Sequence, residues 1–324
     1  MGRVILARLA TAIPLLLATS LLSFLLLHWA PGSFVDRLKA DPKFSERAIE
    51  ELAKRFALDR PWYEQYAMWL SWFVRGELGP SAAYQRPVSE LLRERAPRTF
   101  VLAATSYFLC LAVGIALALV SLRRLDGIWD RFFCRASLTL ISVHPIVLAF
   151  IGMSLAARAG LPIGGGSSLE ASSLGPFWRF YDYVLHLLLP ATVLMLVMLP
   201  GFFLHARGAL SEILPASFVR AGQARGLAES TIVWRHVLPF GLVSLIGFAG
   251  SAIGRLLNGA FLVEVTTGYP GLGSLALGAV LDRDPFLLLG TLIVAGALLC
   301  LGTLVADLLL AGADPRISLE ESSP

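Results

Sequence analysis

Uncharged apolar runs divide the chain at residues 9–35, 99–122, 136–157, 183–206 and 285–306. A sixth run, 236–261, is interrupted only by Arg255. A helix needs about 20 apolar residues to cross the hydrocarbon core of a bilayer. The pattern therefore predicts an all-α, polytopic membrane helix bundle with six transmembrane helices. An even number of crossings places both termini on one side. The first run is too long for a signal-peptide core and lacks a small-x-small cleavage site before Pro31, so it reads as a retained anchor. Pro14 within it is tolerable in a membrane helix.

Between the first two runs, residues 36–98 form a long polar segment with 12 basic and 10 acidic residues. Its patterning predicts amphipathic helices at 45–56 and 61–73. In the second, Trp62, Tyr63, Tyr66, Trp69 and Trp72 either ride at headgroup level or pack the segment onto the bundle. Gly164, Gly165 and Gly166, followed by two serines, mark a turn-forming loop. They have no strand–helix context that would make them a phosphate cradle. No β-sheet domain and no tandem repeat is predicted.

Composition agrees with a membrane protein: 56% hydrophobic, 15% charged, mean hydropathy +0.71. The net charge of +4 could suggest nucleic acid, but its distribution fits topology instead. Arg3, Arg8, Arg123, Arg124, Arg131, Arg135, Arg207, Arg220, Arg225, Arg235 and Arg316 flank one side of the crossings, and only Arg158, Arg179 and Arg283 the other. Eleven against three predicts cytoplasmic termini, a lipid bilayer as surroundings and no nucleic-acid partner.

Soluble chemistry finds little footing. There is no HExxH, no GxSxG, and no lysine after Lys54 to complete a nucleotide-binding P-loop. No catalytic, cofactor or metal site is predicted. Cys110, Cys134 and Cys300 lack metal or disulfide spacing, and the five histidines are scattered, so both sets read as packing residues. If ATP drives this protein, the motor is a separate chain.

The connection 207–239 is the most informative stretch. Pro215 breaks the helix leaving the fourth crossing, Ser217 is placed to cap a short helix over 218–225, and Gly226 ends it by adopting φ > 0. A second short helix starts near Ser230. The first carries small residues (Ala221, Gly222, Ala224) and basic ones (Arg220, Arg225). Small residues allow close approach to a partner's groove and the arginines can pair with acids at its rim. On physics alone, an amphipathic linker lying on anionic lipid is the preferred reading.

This stretch resembles the EAA coupling motif of ABC importer permeases. Gly226 matches its central glycine, Leu238-Pro239 its close, and Arg220, Ala221 and Gly222 its opening triplet. The run Ser217-Phe-Val-Arg-Ala-Gly-Gln-Ala-Arg-Gly-Leu227 is similar to that of the dipeptide/oligopeptide/nickel branch, departing at Gly222 and Gln223. Similar pieces follow in order: Arg8-Leu9 with Pro14, Leu58-Asp59-Arg60-Pro61, Arg75-Gly76-Glu77-Leu78-Gly79, Leu161-Pro162-Ile163-Gly164, Tyr269-Pro270-Gly271-Leu272-Gly273 and Asp314-Pro315-Arg316-Ile317. The long external loop is that of the B-type subunit.

The resemblance implies the type I ABC importer permease fold. It would comprise an N-terminal crossing with an external periplasmic loop (1–95), a five-helix core (96–312) containing the coupling loop 207–239, and a cytoplasmic tail (313–324). It implies a bacterial inner membrane location, a second homologous permease, two cytoplasmic ABC ATPase subunits that bind the ATP, and an extracytoplasmic solute-binding protein. Transport, of peptides or nickel and other small solutes, would proceed by alternating access, with Arg220, Ala221, Gly222, Ala224, Arg225 and Gly226 coupling to the ATPase. Arg255, a charge inside the fifth crossing, is a candidate to line the path or to snorkel to the interface. The alternatives are an ion-driven secondary carrier, which would need acidic residues buried mid-span, and a membrane scaffold without transport.

Overall fold

A computed structural model describes residues 2–29, 32, 35, 36, 39, 45–55, 59–168, 171, 173 and 175–313. The tail motif 314–317, and Leu58 at the start of the 58–61 motif, lie outside them. The described residues are helical apart from turns and a single isolated β-bridge. In chain order the helices are α1 (Gly2–Trp29), α2 (Glu46–Arg55), α3 (Trp62–Val74), α4 (Val88–Leu122), α5 (Ile128–Ser142) and α6 (Pro145–Arg158). They continue with α7 (Pro176–Ile213), α8 (Ser217–Ala224), α9 (Glu229–Ile232), α10 (Leu238–Thr267), α11 (Leu272–Leu281) and α12 (Pro285–Ala313).

Residues 10–29, 88–122, 176–213, 229–267 and 285–310 are long and apolar enough to cross a membrane. The third expected crossing differs from a straight helix over 136–157. In its place stands the pair α5 and α6, bent by 107° at a short break; among the described residues the crossings number five, or six when the bent pair is counted as one span. The cause lies in Val143-His144-Pro145. A proline disfavours helical backbone in the residue before it, and His144 is extended (ψ 139°), its ring nitrogen accepting from the N–H of Ile146 at 3.3 Å. His144 is thus the N-cap of a new helix whose first residue is Pro145.

The chain forms two compact units, residues 1–100 with 268–300, and residues 101–267 with 301–324. Their boundaries run through α4 and α12 and at the end of α10.

In the first unit the core gathers Phe24, Trp69, Val88, Leu91, Leu92, Leu272, Leu275 and Phe286–Leu289. The aromatics of α3 divide between the two expected roles. Trp69 is fully buried and stacks on Phe73 at 5.5 Å, and Trp72 meets Phe286 edge-on at 5.4 Å, whereas Trp62 and Tyr63 stay exposed. Residues 79–88 form a tight hairpin-like turn: Ser81 N–H bonds Arg86 O at 2.9 Å and Val88 N–H bonds Gly79 O at 3.0 Å. Gly79 is required there, since its φ is +79° and a Cβ would come within 2.7 Å of the Trp72 ring. Asp284 ties this turn down. It accepts from Ser81 Oγ (2.7 Å) and Ala83 N–H (3.0 Å), and its other oxygen caps α12 through Leu287 N–H at 3.1 Å. The carboxyl is fully buried, and that burial pushes its pKa up, against the donors that favour the ion, Ala83, Ser81, Leu287 and Ala82.

In the second unit α10 packs along α7, with α5 and α6 against other stretches of α7. Small residues permit close approach: a Cβ on Gly259 would meet Leu194 at 2.8 Å, and one on Gly250 would meet Ala306 at 2.6 Å. The core includes Cys110, Ala118, Leu199, Phe202, Phe203, Leu210, Val219, Ile232, Val237 and Leu245. The cysteines are free, Cys110 being buried, and among the described residues no cluster of His, Cys, Asp and Glu could hold a metal. Three histidines serve packing or capping: His144 as above, His186 bonded to Asp182 O at 2.8 Å, and His205 stacked on Phe248.

Candidate functional site: the connection between the fourth and fifth crossings

The site begins inside α7, where Arg207 grips α5. Its Nε and Nη2 donate to the two oxygens of Asp130, each at 2.6 Å. Asp130 is buried and also accepts from Asp126 N–H at 2.9 Å. Such a bidentate fork fixes orientation as well as distance. Sequence patterning assigns Arg207 no partner and reads it as one more loop charge. Asp130 among the arginines of the 123–135 connection is the available signal, but 77 residues separate the partners.

Beyond Arg207, α7 ends at Ile213, two residues ahead of Pro215, as the proline predicts. The short helix α8 then covers 217–224. Its N-cap is Ala216, in extended backbone, and no side chain caps it, so Ser217 is the first helical residue and not the cap. The helix end follows expectation. Gly226 has φ +74°, its N–H bonds Gln223 O at 2.9 Å, and Leu227 N–H bonds Gly222 O at 3.2 Å. These two bonds form a Schellman cap, and they need a residue that enters the left-handed region without strain.

α8 turns Val219 and Gly222 inward, where Gly222 lies against Ile232 and Leu227. Phe218 packs on Phe240 at 5.0 Å, joining α8 to the start of α10. Arg220, Ala221, Gln223, Ala224, Arg225 and Gly226 remain exposed. Gly222 therefore leaves the set of small residues available to a partner. Its size serves packing within the chain, and Ala221 and Ala224 are the small outward positions. No carboxylate among the described residues pairs with Arg220 or Arg225.

The second short helix starts at Glu229, close to the expected Ser230, and reaches α10 through a π turn at Val233–Val237. Pro239 accounts for that turn. It has no N–H to give Arg235 O, and its ring would press on that carbonyl. Widening the ladder to Leu238 N–H on Val233 O relieves both.

α10 carries Arg255 on an exposed face together with Ser244, Ser251 and Asn258, while Leu245, Ala249, Ala252, Leu256, Gly259 and Ala260 are buried. The polar side of this apolar helix thus points away from its own unit's core. A cation left at hydrocarbon depth costs about 2.5–3.5 kcal/mol on insertion scales. The Arg255 guanidinium lies 5.2 Å from the Phe248 ring centre, which relieves part of that cost.

Several helices long and apolar enough to cross a membrane, with a short helix exposing two arginines between two of them, are the architecture of a polytopic membrane protein. The chain belongs to the family described as "binding-protein-dependent transport system inner membrane component", which it matches over residues 110–319. It is similar to the oligopeptide transport system permease protein AppB of Bacillus subtilis (strain 168), 30% identical over 98% of this chain and 99% of the relative. It is likewise similar to a putative peptide permease protein of Brucella suis biovar 1, 30% identical over 98% and 100%, and to the oligopeptide transport system permease protein OppB of Haemophilus influenzae, 27% identical over 98% and 99%. The chain is accordingly an all-α permease subunit of an ABC importer, without an ATPase site of its own.

Proposed function

We propose that this chain is the B-type permease of a peptide importer and that α8 is the handle by which ATPase subunits move it. It would sit in the bacterial inner membrane with both termini cytoplasmic, paired with a second homologous permease, two ATPase subunits that bind ATP, and an extracytoplasmic solute-binding protein. The division into residues 1–95, 96–312 and 313–324 belongs to the same reading. The names of the similar proteins and the asymmetric distribution of arginine support it.

The observation that carries the coupling role is the exposed face of α8. Arg220 and Arg225 stand free of carboxylates among the described residues, while Phe218 packs on Phe240 of α10, Val219 is buried, and the Gly226 cap closes the end of α8 itself. A push on α8 is thereby delivered to the fifth crossing, which alternating access requires. Arg255 on α10 would face the path so opened.

Cysteines at Ala221 or Ala224 should crosslink to an ATP-hydrolysing subunit in the assembled transporter; capture of none would remove the assignment. Arg225→Glu replaces an attractive charge-assisted contact with a repulsive one, and should lower transport per ATP about tenfold or more, since such contacts are worth about 1.5–3 kcal/mol. Unchanged coupling in that variant would count against the handle.

A further inference from the structure

The face of α10 bearing Arg255 is a continuous stripe. Ser244, Phe248, Ser251, Arg255 and Asn258 recur at spacings of three and four, so they share one side of the helix. At about 1.5 Å per residue the stripe extends about 21 Å, most of a bilayer's hydrocarbon thickness. Ser244, Ser251, Arg255 and Asn258 are exposed. The stripe's ring, Phe248, is shared: Arg255 lies over it at 5.2 Å and His205 of α7 stacks on it at 4.2 Å, His205 Nε2 lying 3.2 Å from Ser244 Oγ. Among the described residues no carboxylate pairs with Arg255.

One feature separates this from an arginine reaching for the membrane surface. Its guanidinium lies over Phe248, seven positions back toward the helix start, and so is directed away from the nearer end of α10.

We propose that this stripe is an anion-selective segment of the translocation path, in which Arg255 receives the carboxylate of a passing peptide. This rests on the reading of α10 as path-lining. The arginine supplies an unneutralised cation and a planar donor fork suited to a carboxylate, Ser251 and Asn258, one turn away on either side, supply uncharged polar neighbours, and the cation–π contact keeps the guanidinium in place without neutralising it. Contact of this kind is transient and selective: it favours solutes with a free carboxylate over cationic ones, without a pocket that would retain them.

The test uses the assembled transporter in phosphatidylcholine vesicles, with Cys110, Cys134 and Cys300 replaced and a single cysteine at Ser251 or Asn258. Each is reacted with two membrane-impermeant methanethiosulfonates, one ending in a carboxylate and one in a trimethylammonium group. Both cysteines should be modified during ATP turnover. The carboxylate-to-ammonium rate ratio should fall about five- to tenfold on Arg255→Met and be retained in Arg255→Lys, the size expected of one charge about 7 Å away in water. No modification by either reagent would mean that another helix covers the stripe, ending the path-lining reading and the proposal together. Modification with a ratio indifferent to Arg255→Met would leave the path and overturn the anion selectivity. A ratio that collapses when phosphatidylglycerol is added would assign the arginine to a lipid headgroup and overturn the proposal.

Discussion

The turn at 79–88 and the helix at 217–224 are both short connecting segments, and they are held by opposite means. The turn is fastened by polar bonds to one fully buried carboxylate, Asp284, which accepts from Ser81, Ala83 and Leu287. The helix is fastened by apolar contacts, Val219 and Gly222 on Ile232 and Phe218 on Phe240, and by its own Schellman cap. Directional bonds to a buried group permit one arrangement. Apolar contact is less directional, and it leaves Arg220 and Arg225 on the exposed side. The first suits a fixed turn; the second is compatible with the proposed handle.

The sharpest way to break the comparison is Asp284→Ala. Three donors lose their acceptor inside the core, and each buried unsatisfied donor costs about 1–3 kcal/mol. A loss of about 3 kcal/mol or more in the denaturant unfolding of the purified chain is expected, and a change under about 1 kcal/mol would show that the turn is held by its apolar neighbours after all. Asp130→Asn should come next. It halves the bidentate grip on Arg207 and leaves a partly buried cation, with an expected loss of about 2–3 kcal/mol. The double variant Asp130→Asn/Arg207→Met should recover part of that loss, because the cation stranded by the first change is gone. Strict additivity would mean that the pair does not act as a unit.

Gly226→Val tests the cap with a smaller effect. A β-branched residue at φ +74° carries a cost of about 1–2 kcal/mol, which unwinding of the last turn of α8 would relieve. The expected readout is a modest fall in stability beside a larger fall in transport per ATP hydrolysed. Equal proportional changes in both would mean that the cap serves only folding.

Much of this arrangement was legible in the residues. Run length marked the apolar helices, and Pro215 and Gly226 marked the end of α7 and the end of α8, because a proline and a left-handed glycine act within one turn of where they stand. The bend at Val143-His144 was not foreseen. Apolar patterning across 136–157 is continuous, and the signal against one helix was the single Pro145, a residue that membrane helices also accommodate, as Pro190 and Pro200 do inside α7. Asp130 with Arg207, and Asp284 with the 79–88 turn, were illegible for another reason: their partners lie 77 and about 200 residues away, beyond any local periodicity. Gly222 was misassigned to the outer face because composition alone does not say which side of an eight-residue helix is turned inward.

Ser217 supplies the smallest predicted effect and the cleanest check on how α8 is held. A serine capping a helix through its hydroxyl is worth about 1 kcal/mol, which alanine would remove. Here Ala216 is the cap residue and no side chain bonds the first turn, so the Ser217 hydroxyl at the first helical position contributes no cap. Ser217→Ala should therefore change stability by less than about 0.5 kcal/mol, as exposed substitutions without a special role do, and leave transport per ATP intact. A loss near 1 kcal/mol would mean that the hydroxyl reaches the helix N-terminus and that polar capping at this end supplements the apolar attachment. The contrast with the Asp284 turn would then narrow to a difference of degree, since both segments would depend on a side-chain oxygen holding backbone N–H groups.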